Sequence, residues 1–270
     1  MNGGMNSGMG GGGGENGGET TLLERVLPAL TIVAAVAAWQ VLVTVRGIAP
    51  IYLPAPSAIA VALYDMASDG TLFANLGATL LRILVGFALA AVTGIAVGLA
   101  MGMSRLLYRV IDPWIAALYP LPKISLIPLL IIWLGTGEAY KIVISTITAF
   151  FPIAMSTYAG VCQVDRELMK AAADLGASRR QMQLNVVLPA AVPMILAGLQ
   201  LGMGMTIILV IAAEMIGGSS QSGMGYVLVN AGQILETEKV FAALAVLCVM
   251  GGAIIKLQQW IGTRITPWSQ

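Results

Sequence analysis

The chain has no histidine and only two cysteines, and just 10% of its 270 residues are charged. The missing histidine removes the usual proton shuttle at neutral pH and the commonest metal ligand. Cys162 and Cys248 stand far apart and form no CxxC or zinc spacing, so they read as small apolar packing residues. No GxxxxGK[ST] segment is present, which excludes nucleotide binding through a P-loop of this chain. The absence of HExxH and GxSxG leaves no frame for zinc or serine hydrolysis. A soluble domain carries roughly a quarter charged residues, so this chain cannot cover a water-facing surface. With 58% hydrophobic residues it reads as an all-α integral membrane protein. A net charge of +1 provides no field for nucleic acid, and none is expected as a partner.

What is present is a succession of long apolar runs. Six are long enough to cross a hydrocarbon core of about 30 Å: roughly 26–45, 79–103, 113–134, 141–161, 190–213 and 240–260. Residues 1–18 contain ten glycines and nothing to bury, so 1–24 is expected to be a disordered tail preceding a membrane domain over 25–268. The first apolar run exceeds the hydrophobic part of a signal peptide and is expected to be retained. Orientation follows from the cations. Placing the N-terminus inside puts Arg25, Arg105, Arg109, Arg166, Lys170, Arg179, Arg180, Lys256 and Arg264 on the inner side, against Arg46, Lys141 and Lys239 in outer loops. Both termini, and the charged stretch 162–189, are then expected in the cytoplasm.

Several spans carry special residues. Ala90, Gly94, Gly98 and Gly102 recur every four residues, and Gly198 and Gly202 repeat the spacing, which allows close helix packing within the subunit or along a dimer seam. Pro113, Pro120, Pro122 and Pro128 cannot share one straight helix. Lys123 lies beside that break, near mid-membrane depth, either bonded to freed backbone or facing an anionic solute in the pathway. Arg82 and Glu214 fall at similar outer depth, where they can pair and close the outer mouth or simply reach interfacial water. An outer connector, Gly217 to Gly225, precedes a short outer helix over 226–235.

The stretch 162–189 is the outlier. Leu168, Ala171, Ala172 and Leu175 fall at i, i+3, i+4 and i+7, so one helical face is apolar. Asp165, Arg166, Glu167, Lys170, Asp174, Arg179 and Arg180 surround it. Gly176 supplies a turn because it tolerates φ > 0, Ser178 is placed to cap the next helix, and Pro189 and Pro193 mark re-entry into the apolar run. The spacing predicts an amphipathic helical hairpin at the membrane surface and names no partner.

Lys-Ala-Ala-Ala-Asp-Leu-Gly (170–176), nine residues, then Val-Val-Leu-Pro (186–189) resembles the EAA loop of ABC importer permeases, whose pattern is Glu-Ala-Ala, three residues, Gly, nine residues, Ile-x-Leu-Pro. Leu-Pro-Ala-Pro-Ser (53–57), Thr-Leu-Leu-Arg-Ile-Leu-Val-Gly-Phe (79–87), the run from Pro120 to Glu138, Phe-Phe-Pro-Ile (150–153) and Ala-Glu-Met (213–215) resemble the nitrate/sulfonate/taurine branch. The resemblance implies a type I importer transmembrane domain of six helices, similar to the methionine-permease-like fold, in a bacterial inner membrane. It implies a permease that performs no bond chemistry. Its partners would be two ABC ATPase subunits, which bind the ATP and magnesium, an external solute-binding protein and a second permease copy, a homodimer. The chain itself would hold no cofactor and no metal. ATPase coupling would fall to Lys170, Ala171, Ala172, Asp174, Leu175, Gly176, Ala177 and Ser178, and the pathway to Lys123, Arg82 and Glu214. Lys170 stands where the family often has Glu, so a salt bridge by that Glu does not carry over. The solute would be a sulfonate, taurine, nitrate or similar anion, a choice Lys123 favours. The alternatives are an uncharged heterocycle (a thiamin-precursor pyrimidine or riboflavin) and an ATPase-independent secondary transporter. A secondary transporter usually needs acid or histidine relays or inverted repeats, and neither is visible.

Overall fold

The computed structural model describes residues 22–217 and 222–266, and every regular element among them is helical. The expected tail therefore lies, through residue 21, outside the described residues, as do 218–221 of the expected outer connector. The chain divides into two units at Ile48 and Ala49. The first holds a single helix, α1 (Leu22–Arg46), whose Ala29–Arg46 portion is long and apolar enough to cross a membrane.

The second unit is built on α6 (Glu138–Cys162), which packs between α3 (Thr71–Met103) and α9 (Leu188–Ile216). The glycine spacing explains why. A Cβ on Gly94 would lie 2.9 Å from the Ile153 side chain, one on Gly98 2.5 Å from the Ala154 carbonyl, and one on Gly102 2.5 Å from the Val161 side chain. Residue numbers rise together along this contact, so α3 and α6 run parallel. From the other side, Gly198 meets Ser156 and Pro152 while Gly202 meets Ile153 and Ala149, so α9 runs antiparallel to α6. Lipid provides no hydrophobic drive between helices, and such seams rest on backbone-close van der Waals contact. Both glycine faces pack within the chain.

Because α3 and α6 are parallel, the chain between them has to recross the membrane. It does so as α4 (Arg105–Leu118), a 3₁₀ turn (Lys123–Leu126) and α5 (Ile127–Leu134), with the two halves bent by 88°. The run 113–134 is thus not one helix. Pro120 and Pro122 fall in the break, Pro128 opens α5, and Pro113 stays inside α4. The described residues hold five helices able to span a membrane, or six with this bent pair.

Three further helices flank the core. The short α2 (Pro56–Ser68), which the apolar pattern alone did not reveal, and α10 (Met224–Gln233) pack on α11 (Thr237–Ile265). Met66, Ile83, Val210, Met224, Ala242 and Ala243 form the common core of this side. The helix expected over 226–235 is α10, shifted by two residues. Lys141, counted among outer-loop cations by sequence, is instead fully buried in the first turn of α6.

Candidate functional site

Beyond Cys162 the chain leaves the bundle as α7 (Arg166–Asp174), capped by the Asp165 carboxylate accepting from the Glu167 N–H at 2.8 Å. Leu175 ends the helix, and Gly176 takes φ +79°, the left-handed turn its lack of Cβ permits. Ser178 then opens α8 (Arg179–Met182) with a capping box. Its N–H donates to Gln181 Oε1 at 2.8 Å, and its hydroxyl accepts from the Gln181 N–H at 3.4 Å. One π turn (Gln183–Val187) joins α8 to α9, with the Leu188 N–H reaching the Gln183 carbonyl. Pro189 follows directly. A proline lacks the N–H for the carbonyl four residues back and collides with it, and the wide turn relieves that clash.

This knob buries little of its apolar face. Leu168 is 56% and Leu175 88% exposed, and Ala171, Ala173, Asp174, Gly176 and Ser178 are also exposed, with Ala172 and Ala177 partly covered. Lys170 is exposed among them, and no ion pair involving it is present among the described residues. A nine-residue helix this bare gains little stability from packing within the chain.

At the other end of α6, about 36 Å away at 1.5 Å per residue, the reverse holds. Arg82 on α3 is 1% exposed and uses all five of its N–H groups. Nε and Nη2 donate to Glu138 at 2.5 and 2.6 Å, Nη1 to Glu214 at 2.5 Å and to the Ser222 carbonyl at 3.0 Å, and Nη2 also to the Ser222 hydroxyl at 2.7 Å. Glu214 on α9 accepts in addition from the Thr79 hydroxyl and the Gly225 N–H, each at 2.9 Å. Thr79 accepts from the Met224 N–H, and Asn75 from the Gly223 N–H. Lys141 lies 3.6 Å from Glu138, so two cations face two carboxylates. The backbone approaches closely: a Cβ on Gly223, where φ is +110°, would lie 2.3 Å from the Glu214 carboxyl carbon. The network ties α3, α6, α9 and the start of α10 together.

The expected approach of Arg82 to Glu214 is therefore present. Glu138 and Lys141 belong to the same cluster but were not singled out by sequence. The available signal was an i, i+3 acid–base pair just after Gly135 and Gly137. Lys123 lies elsewhere. Half-buried at the bend, its ammonium donates to the Tyr119 carbonyl and stands 5.0 and 4.9 Å from the Tyr119 and Phe151 ring centres. Phe151 marks the middle of α6, so Lys123 is near mid-depth, on a cavity of about 400 Å³ otherwise lined by Leu118, Leu121, Leu126, Thr146 and aromatic or aliphatic residues of α6. Backbone freed by the break holds the charge.

Comparison with known proteins agrees with these features. Residues 90–267 match the family described as binding-protein-dependent transport system inner membrane component. The taurine transport system permease protein TauC of Escherichia coli is 36% identical over 243 residues, covering 88% of each chain. The aliphatic sulfonates transport permease protein SsuC of Bacillus subtilis is 32% identical over 233 residues, 86% of this chain and 84% of that one. The nitrate import permease protein NrtB of Synechocystis is 29% identical over 252 residues, 90% of each. A solved inward-facing structure of the MetNI methionine ABC transporter shares the fold, with a TM-score of 0.56 at 24% identity over 70% of this chain and 92% of that one. The chain belongs to the family of inner-membrane permease components of binding-protein-dependent ABC transport systems.

Proposed function

We propose that this permease serves an ATP-driven importer of a small oxyanion, a sulfonate, taurine or nitrate, with the α7–Gly176–α8 knob as the element gripped by a separate ATPase. The observation that carries this reading is the bare apolar face of the knob, with Leu168 56% and Leu175 88% exposed. The substrate class rests on the relatives, which are taurine, sulfonate and nitrate permeases. Arg105, Arg109, Arg166, Lys170, Arg179, Arg180 and Arg264 all belong to the knob end of the second unit, which the positive-inside rule assigns to the cytoplasm. The Arg82 cluster then closes the outer side, where an external binding protein delivers solute. Two copies of the permease and two ATPase subunits complete the machine, and ATP and magnesium reside in the latter. Lys123 provides a positive charge at mid-depth along the route.

Mechanically, α8, the π turn and α9 form one continuous helical rod from the knob to Glu214. A displacement of the knob is therefore transmitted along α9 to the outer cluster. Replacing Leu175 by Asp, or Gly176 by Val, tests the assignment in the assembled transporter reconstituted in vesicles. A Cβ at Gly176 meets no neighbour within 4 Å, but valine cannot comfortably adopt φ +79°. We expect ATP hydrolysis to persist while uptake falls at least tenfold, with the complex intact on size-exclusion. Coupled uptake at the parental level in both variants ends the reading.

A further inference from the structure

Most polar side chains within the spans have partners in the chain. Thr146, Thr148 and Thr206 donate to carbonyls, and Tyr140 donates to the Ala213 carbonyl. Gln200 does not. Its amide is exposed on α9, and no hydrogen-bond partner for it is present among the described residues. Its depth follows from its neighbours: Gly198 abuts Ser156 and Pro152, and Gly202 abuts Ile153 and Ala149, so Gln200 is level with the middle of α6. Lys123, against Phe151, occupies the same layer.

An amide facing hydrocarbon at that depth loses every hydrogen bond that water would give it. Gln200 is not isolated, however. It lies at the inner limit of an open cleft of about 450 Å³ between α9 and α11, whose other polar side chains are Gln259, Thr263 and Thr266. Gln259 and Thr263 are exposed and lie in the last two turns of α11, and Thr266, buried at its C-terminal cap, donates to the Gly262 carbonyl. Pro193, on the opposite wall, is near the knob end of α9. The cleft thus climbs from the knob face to mid-membrane, with the Gln259 amide and two threonine hydroxyls along it and the unpaired Gln200 amide at its top. The large groove between α3 and α11 makes the contrast: about 910 Å³, it is lined by leucines, valines and other apolar groups, with Gln258 the one polar side chain among its lining residues.

We infer that the α9–α11 cleft is the water-filled, knob-side half of the translocation route and that Gln200 is a solute-contacting, specificity-determining residue at its top. The chemistry suits an oxyanion. The Gln200 amide offers two N–H donors to sulfonate or nitrate oxygens without adding a second full charge to the layer that Lys123 already makes positive. This rests on the permease reading above and deepens it by naming where the solute is held.

The test uses the complete transporter in vesicles, with Cys162 and Cys248, both exposed, first replaced by alanine. Gln200→Cys is compared with Val249→Cys. Val249 is 73% exposed near the middle of α11, on the apolar groove. A membrane-impermeant anionic thiol reagent applied from the knob side should modify Gln200→Cys at least tenfold faster, and taurine, an alkanesulfonate or nitrate trapped with it should slow the reaction. Gln200→Leu should raise KM for uptake of the transported anion about tenfold or more, while ATP hydrolysis and assembly remain, and Gln200→Asn should recover part of the loss. Equal reactivity of the two cysteines in all nucleotide states overturns the inference, placing Gln200 against lipid or a second copy. An unchanged KM in Gln200→Leu also overturns it. Either failure leaves the coupling reading standing, because that reading is decided by Leu175→Asp and Gly176→Val.

Discussion

The two ends of α6 treat charge and apolar surface in opposite ways. At the Arg82 end, Arg82, Lys141 and Glu214 are enclosed beside the half-exposed Glu138, and every N–H of the guanidinium has an acceptor inside the chain. At the knob end, Leu168, Leu175 and a set of unpaired charges are left to solvent. A buried ionic group keeps its charge only when its partners are supplied locally, so the first end is complete without another molecule. The knob presents the reverse: a capped, pre-shaped helix whose apolar face still lacks a counterpart. The difference separates a part that holds the subunit together from a part that the proposed coupling role assigns to a partner, and it tells which substitutions should damage folding and which only transport.

The largest effect on stability is expected at the closed end. Arg82→Met leaves the Glu214 carboxylate, with no side-chain exposure, without its salt-bridge partner. Breaking a buried pair from one side costs about 3–5 kcal/mol, so the thermal midpoint of the detergent-solubilised protein should drop by many degrees. Adding Glu214→Gln restores the charge balance between Lys141 and Glu138 and should recover part of the loss. A single variant as stable as the parent would make the cluster dispensable and remove the contrast between the ends. Next comes the glycine seam. Alanine at Gly98 places a Cβ 2.5 Å from a backbone carbonyl of α6, which can give only if the helices separate. Overpacking of this kind costs about 1–3 kcal/mol. Gly204 on α9 has open space around its Cβ position, and Gly204→Ala should change stability by no more than about 0.5 kcal/mol or raise it through better helix propensity. Thermal midpoints of the two variants measured side by side provide the check.

Much of this contrast was legible in the chain, and the gaps have physical causes. The apolar face of α7, the left-handed Gly176 and the Ser178 cap are local features, set within a few residues, and the structure displays each of them. The approach of Arg82 to Glu214 could be reasoned from depth along two spans. Glu138 and Lys141 could not, because their membership depends on α3 and α6 being parallel and in one particular register, a long-range property of the glycine seam. Periodicity failed for α2, whose short apolar stretch resembles a loop beside runs twice its length. Gln200 was visible as a polar residue in the fifth apolar run, but the face it occupies emerges only once α6, α3 and α11 have covered the rest of α9. Sequence reports depth well and azimuth poorly, and the cleft is a statement about azimuth.

The smallest expected effect is the most discriminating for the open end. Ser178→Ala removes the hydroxyl that accepts the Gln181 N–H and disrupts half of a capping box. Loss of such a cap costs about 0.5–2 kcal/mol, and here the 3.4 Å bond points to the lower part of that range. Because α8 is exposed and only four residues long, the cost falls on local opening and not on the buried seam. Amide hydrogen exchange over residues 179–182 should therefore quicken several-fold in the isolated subunit while the thermal midpoint stays put. If the knob is held by a partner in the assembled transporter, docking supplies the missing order and the difference between variant and parent should shrink. Exchange that remains several-fold faster in the assembled machine would mean that nothing grips the knob, and the distinction between a self-sufficient end and a partner-dependent end would then have no basis.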